Sequence, residues 1–200
     1  MALKWAGKKP KIIGFCGFAR VGKNTAANIL TKLLFDTYDI KSIRQMGFAD
    51  ILKSHLYCLM VACEKNGYNT TTPEFKEKFR PMFVEWSRVY KEITGNNEIW
   101  CDLAFAKIRE EQYPLTMITD VRYDYEIDRI KNNDGVVFYI DRPGFDPAND
   151  EEERSFNRIY EKYQSSFDGE SDDVLIVKND STKLDMGVKC FEMLEMKGII

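Results

Sequence analysis

Short apolar runs alternate along the chain with longer stretches in which apolar residues recur every three or four positions. Ile12, Ile13 and Phe15 open the series, and an unbroken apolar run of this kind reads as a buried strand over about 11–16. Ile29, Leu30, Leu33 and Leu34 then keep helical spacing, which predicts a helix over about 22–38. Ser42 to Phe48 predicts a second strand, running into a helix that carries Leu52, Leu56, Leu59 and Met60. After a polar break at Asn66–Thr70, Thr71 and Glu74 have capping-box spacing and Pro73 suits a first helical turn. The helix that follows carries Phe75, Phe79, Phe83, Trp86 and Tyr90, with a kink expected at Pro81.

A turn at Gly95–Asn97 leads to a further helix with Trp100, Leu103, Ala104 and Ile108. Leu115 to Asp120 predicts strand three, and a short helix with Tyr125, Ile127 and Ile130 follows it. Asn133-Asp134-Gly135 turns into strand four, Val136 to Ile140, and Val174 to Val177 is strand five. Asp180 is placed to cap a last helix reaching about residue 196. Residues 1–10 read as a loose arm, and 142–172 as a polar, mostly acidic stretch. Apolar strands alternating with helices imply a parallel sheet covered on both faces. Right-handed crossovers then bring the strand ends to one edge, where ligands bind.

What sits at those strand ends changes the picture from architecture to chemistry. Strand one runs into Gly17-Phe-Ala19-Arg20-Val21-Gly22-Lys23-Asn24-Thr25, and a helix begins at once. Strand, G-x-x-x-x-G-K, helix is a phosphate-binding loop in its expected context. Gly17 and Gly22 permit backbone turns that a Cβ would resist, so successive N–H groups can face an anion. The helix start adds the positive end of its dipole, and Lys23 adds a mobile full charge. Position 24 is Asn where many such loops place a Mg²⁺-binding hydroxyl; the hydroxyl comes at Thr25, a minor metal contact at most.

The bulk numbers narrow the class further. Two hundred residues with 44% hydrophobic content suit one α/β domain with an insertion. Net charge is −3, so no broad basic surface for nucleic acid is indicated, and cations for a polyphosphate must be gathered locally. Five cysteines without metal-ligand spacing point to thiols in a reducing compartment, hence the cytoplasm. No apolar run is long enough for a signal peptide or a membrane span.

Asp120 closes strand three, where a carboxylate can orient Mg²⁺ through water, and Arg122 lies two residues on. Arg80, Arg88, Arg122, Arg142, Arg154 and Arg158 fall in insertions or strand-end loops. Phosphoryl transfer between two nucleotides gathers roughly six negative charges, and preorganised cations supply most of its catalysis. Arg88, Arg154 and Arg158 also suit solvated helix faces. His55, the single histidine, reads as a core or boundary residue. An acceptor hydroxyl would need a base, for which Asp50 is the placed candidate; a phosphate acceptor would not. Trp86, Tyr90, Tyr68 and Trp100 could stack a base, or simply fill a core.

Several of these stretches, in this order, resemble the deoxynucleoside monophosphate kinases encoded by tailed bacteriophages, a branch of the P-loop monophosphate kinases. Gly22-Lys23-Asn24-Thr25 is similar to their GKDT, Phe48-Ala49-Asp50-Ile51-Leu52-Lys53 to FADPLK, and Ile118-Thr119-Asp120-Val121-Arg122, then Glu126-Ile127, to their strand-three DVR and acidic–apolar pair. Asp141-Arg142-Pro143-Gly144 and Val177-Lys178-Asn179-Asp180 also fit. Asn24 stands where the family has aspartate, Phe83–Ser87 departs from its leucine-glutamine-x-leucine-glycine, and its His-x-Ser-Glu has no counterpart in the acidic stretch.

The resemblance implies a three-layer α/β P-loop NTPase fold with a five-stranded parallel sheet in the order 2-3-1-4-5. A helical monophosphate-binding insertion would occupy about 50–112 and a lid about 142–172. Gly17, Ala19, Arg20, Val21, Gly22, Lys23, Asn24 and Thr25 would hold ATP; Asp50, Lys53, Arg80, Arg88 and Arg122 the acceptor. Lys23, Arg122, Arg142 and Asp120 would be catalytic, with Mg²⁺. Partners would be small-molecule substrates, with a homodimer left open and neither nucleic acid nor membrane involved. Two other readings stand beside it: a kinase of a nucleoside or other hydroxyl acceptor with Asp50 as base, and a non-catalytic nucleotide-binding regulator.

Overall fold

The computed structural model describes residues 11–200. In these, β1 (Lys11–Cys16), β2 (Ile43–Met46), β3 (Leu115–Val121), β4 (Val136–Asp141) and β5 (Leu175–Lys178) form one sheet in the order β2-β3-β1-β4-β5. Every pairing is parallel. This is a five-stranded, all-parallel α/β sheet in the strand order that the sequence resemblance implied. Helices α1 (Lys23–Tyr38), α6 (Asp124–Lys131), α7 (Asp150–Lys162), α8 (Gln164–Phe167) and α9 (Lys183–Met196) surround it.

Alternation along β1 explains the two covered faces. Ile13 and Phe15 join Ala26, Leu30 and Leu34 of α1 and Met186, Cys190 and Leu194 of α9 in one buried cluster. Gly14 points to the other face, where a Cβ would meet Ile130 Cδ1 of α6 at 2.6 Å. Gly14 faces Ile118 and Cys16 faces Val121, so two steps along β1 match three along β3. The extra residue falls at Thr119–Asp120 and bends β3 where its end meets the loops.

Residues up to Gly47, with Ile108–Ile200, form one compact unit, and Phe48–Lys107 forms a second. The second contains α2 (Phe48–His55), α3 (Tyr57–Lys65), α4 (Pro73–Thr94) and most of α5 (Ile99–Glu111). The single helix expected over 48–60 is two, because the chain turns at Leu56, which is buried while Tyr57 and Leu59 face outward. Helix α4 runs through Pro81 to Thr94. Its cap is Thr72, not Thr71: the Thr72 hydroxyl accepts from Phe75 N at 3.2 Å, leaving Thr71 to pair with Asn69. The last helix begins at a capping box of Thr182 and Asp185, while Asp180 pairs with Lys189 instead.

The acidic stretch 142–172 holds two helices. It folds α7 and α8 within the first unit, with Phe156 and Phe167 packed on Tyr139 of β4. Tyr163 and Lys162 both donate to Asp128 of α6.

Candidate active site

The glycine loop takes its shape from close backbone approach. Gly17 has φ 127°, and a Cβ there would lie 2.5 Å from Ile140 O of β4. Arg20 and Gly22 also have positive φ, and α1 starts at Gly22 with no side chain capping it. Its first N–H groups therefore keep their capacity for an anion. Asn179, after β5, fastens the loop from the far side: its Nδ2 donates to Val21 O at 2.7 Å, and its backbone N–H to Asp141 O at 2.7 Å.

Lys23 reaches back over this loop. Its Nζ donates to Gly17 O at 2.6 Å and Phe18 O at 2.7 Å. Burial pushes the ammonium below its ordinary pKa and the Arg122 charge acts in the same sense, opposed by Glu152 and Asp120. Lys23, Arg122, Asp120 and Glu152 thus share one electrostatic neighbourhood, though 129 positions separate the first from the last. Gly47, after β2, makes room for Asp120: a Cβ there would lie 2.5 Å from the carboxylate.

Arg122 is exposed at the side chain but gripped at the main chain. Glu126 Oε2 accepts from Arg122 N at 2.7 Å and Tyr123 N at 3.1 Å. The Ser155 hydroxyl of α7 donates to Arg122 O. Glu126 is buried, and burial pushes its carboxyl up to about 8. Beside the loop a cavity of about 650 Å³ is lined by Arg20, Thr25, Arg142, Ser181 and Lys183, among others. Arg142 lies over the Phe145 ring at 4.4 Å. In the glycine loop Ala19, Arg20 and Asn24 are exposed and Val21 is buried.

Among the described residues no group of three or more His, Cys, Asp or Glu could hold a metal ion. Asp120 and Thr25 offer a carboxylate and a hydroxyl, a sparse oxygen set that fits Mg²⁺ carried mainly by phosphate and water. None of the helices described is long and apolar enough to cross a membrane.

No protein-family model and no curated protein matches the sequence. Two similar solved structures are kinases. One is a sugar kinase from Janibacter sp. HTCC2649, 12% identical over 93% of this chain and 95% of that one, with a TM-score of 0.41. The other is thymidylate kinase from Ehrlichia chaffeensis, 11% identical over 93% and 99%, with a TM-score of 0.44. The protein APE1195 is similar too, at 12% identity over 94% and 96%, with a TM-score of 0.43. Likeness at this level carries no functional information.

Arg154 and Arg158 are exposed on α7, and the remaining sequence-selected residues belong to the Phe48–Lys107 unit. Asp50 accepts from Lys53 Nζ at 2.8 Å. Arg80 is exposed on α4. Arg88 donates to Glu85 and Glu92 of its own helix, at 3.0 Å from Nε and 2.5 Å from Nη1. His55 is exposed, not core, with Tyr90 and Trp100 rings 5.2 and 5.3 Å away. Tyr90 and Trp100 stack on each other at 5.1 Å, and Tyr68 lies apart and exposed.

Glu126, Ser155, Glu152, Asn179 and Gly47 escaped the reading of site chemistry from sequence. Glu126 carried a signal, its place four residues after Arg122 at a helix start. The others are defined by partners far along the chain.

Proposed function

We propose that this chain is a bacteriophage-type deoxynucleoside monophosphate kinase, transferring the γ-phosphoryl group of ATP to a (deoxy)nucleoside 5′-monophosphate in the cytoplasm. The observation that carries this reading is the Lys23 ammonium held over an anion-ready loop with Arg122 and Asp120 in its electrostatic range. An acceptor phosphate oxygen attacks the γ-phosphorus as the bond to the β,γ-bridging oxygen breaks, and ADP leaves with the released charge. No proton need be removed from a phosphate that is already ionised, which suits a cluster built of cations.

In this reading Gly17–Thr25 binds the donor phosphates, and Lys23 and Arg142 offset charge on the transferring group. Arg122, Arg80, Asp50 and Lys53 bind the acceptor, the last two already paired with each other. Mg²⁺, when bound, would draw on Asp120 through water and on Thr25, neutralising phosphate charge. Residues 50–112 serve as the acceptor-binding insertion and 142–172 as a lid.

A coupled assay with ATP tests it, using thymidylate, deoxyguanylate, deoxyadenylate and deoxycytidylate beside their ribose counterparts. Steady diphosphate formation from at least one deoxynucleotide is expected. A folded protein that binds ATP but phosphorylates none of them would refute the assignment.

A further inference from the structure

The loop that should receive phosphate already receives a carboxylate. Ala19 N donates to Glu152 Oε1 at 2.8 Å across 133 positions of sequence. The other oxygen, Oε2, accepts from Ala148 N at 2.7 Å. Glu152 is not a stray surface side chain at this point. Asn149 caps α7 and accepts from Glu152 N at 3.0 Å, which fixes where the first turn presents the carboxylate. Phe156, one turn on, packs edge-on to Phe18 of the glycine loop at 5.1 Å. Glu151 accepts from Tyr123 Oη at 2.6 Å, and Ser155 holds the Arg122 carbonyl. Four residues of α7 thus bind the glycine loop and the segment bearing Arg122.

We propose that Glu152 is a built-in competitor for the phosphate loop, so that donor nucleotide binds only as this carboxylate leaves the Ala19 amide. This rests on the donor-site reading above and adds its regulation. One N–H cannot serve a carboxylate oxygen at 2.8 Å and a phosphate oxygen together, and a polyphosphate of about four negative charges repels the carboxylate besides. The apparent donor affinity is lowered by the fraction of molecules in which the contact is made. Because Ser155 lies on the same helix, departure of the first turn also loosens the hold on Arg122. Donor binding and acceptor-arginine placement are in this way coupled through α7.

The test measures MgATP binding by calorimetry in the wild type and three variants. Glu152→Ala should bind about tenfold tighter, the size expected when a charge-assisted contact occupied in about nine molecules of ten is removed. Glu152→Gln keeps one acceptor oxygen, enough for one of the two amides, and loses the charge, and should tighten binding by a smaller factor. Glu153→Gln removes the same charge from the exposed neighbouring position and should leave affinity within about twofold. Unchanged or weaker binding by both Glu152 variants, with the wild type binding normally, overturns the competitor role and leaves the donor site standing. Equal tightening by Glu153→Gln overturns it as well, assigning the effect to net charge. Absence of MgATP binding in every protein overturns the donor-site reading together with this one.

Discussion

Glu126 shows how much one side chain can be asked to do. It is nearly excluded from water, yet it anchors the backbone of Arg122 and Tyr123 at the carboxyl end of β3. A protonated carboxyl can accept those bonds through its carbonyl oxygen, so burial favours the neutral form without abolishing the anchor. Its folded pKa, about 8, stands above the ordinary value of 4.5. Below the lower value both folded and unfolded forms carry the proton, and the contribution to stability is complete. Between the two, the unfolded chain has released the proton and the folded chain has not, so stability falls as pH rises. The slope from this group is at most about 1.4 kcal/mol per pH unit. Glu126→Gln keeps an acceptor and cannot ionise, so urea titrations from about pH 5 to about pH 8 should show a flatter decline than the wild type. Identical slopes would mean that Glu126 does not titrate in this window. Lys23 and Asp120 were legible in the sequence because a local motif and a strand end identify them. Glu152 and Ser155 were not, since their partners lie 133 and 33 positions away.

At the scale of elements, periodicity located every strand among the described residues, and each expected strand lies within one residue of the observed one except β2, which ends two residues early. That strand is shorter than Ser42–Phe48 because the chain turns at Gly47 and starts α2 with Phe48. Helix starts were harder to read, because neighbouring residues compete for the cap and φ/ψ decides between them. Thr182 and Thr72 sit in extended backbone and accept the expected amide, where Asp180 and Thr71 make other bonds. Thr182→Ala should therefore destabilise the protein by about 1 kcal/mol, through a helix that packs along α1 and against β5. Asp180→Ala should have the smaller effect, because it removes only an exposed pair with Lys189. Chemical denaturation of the two variants side by side checks this, and the reverse ranking would contradict the cap assignment.

Across the molecule, the parallel sheet brings the ends of scattered segments to one edge. Residues from the β1, β3, β4 and β5 ends supply Lys23, Asp120, Arg122, Arg142 and Asn179 to the first unit. An overall charge of −3 is compatible with phosphate binding because cations gather locally around a loop of inward N–H groups. Sequence pattern anticipated the parallel sheet and the common edge of its strand ends, since both follow from apolar periodicity. It could not anticipate the bulge at Thr119–Asp120 or the carboxylate on the loop, which depend on register and on packing of α7. The most direct measurement is the turnover of Lys23→Ala with ATP and whichever deoxynucleotide the wild type accepts, alongside a fold check by circular dichroism. A fall of roughly 10²–10³-fold is expected for loss of one preorganised charge. Near-normal turnover in a folded variant would contradict the claim that this loop lysine carries phosphoryl transfer.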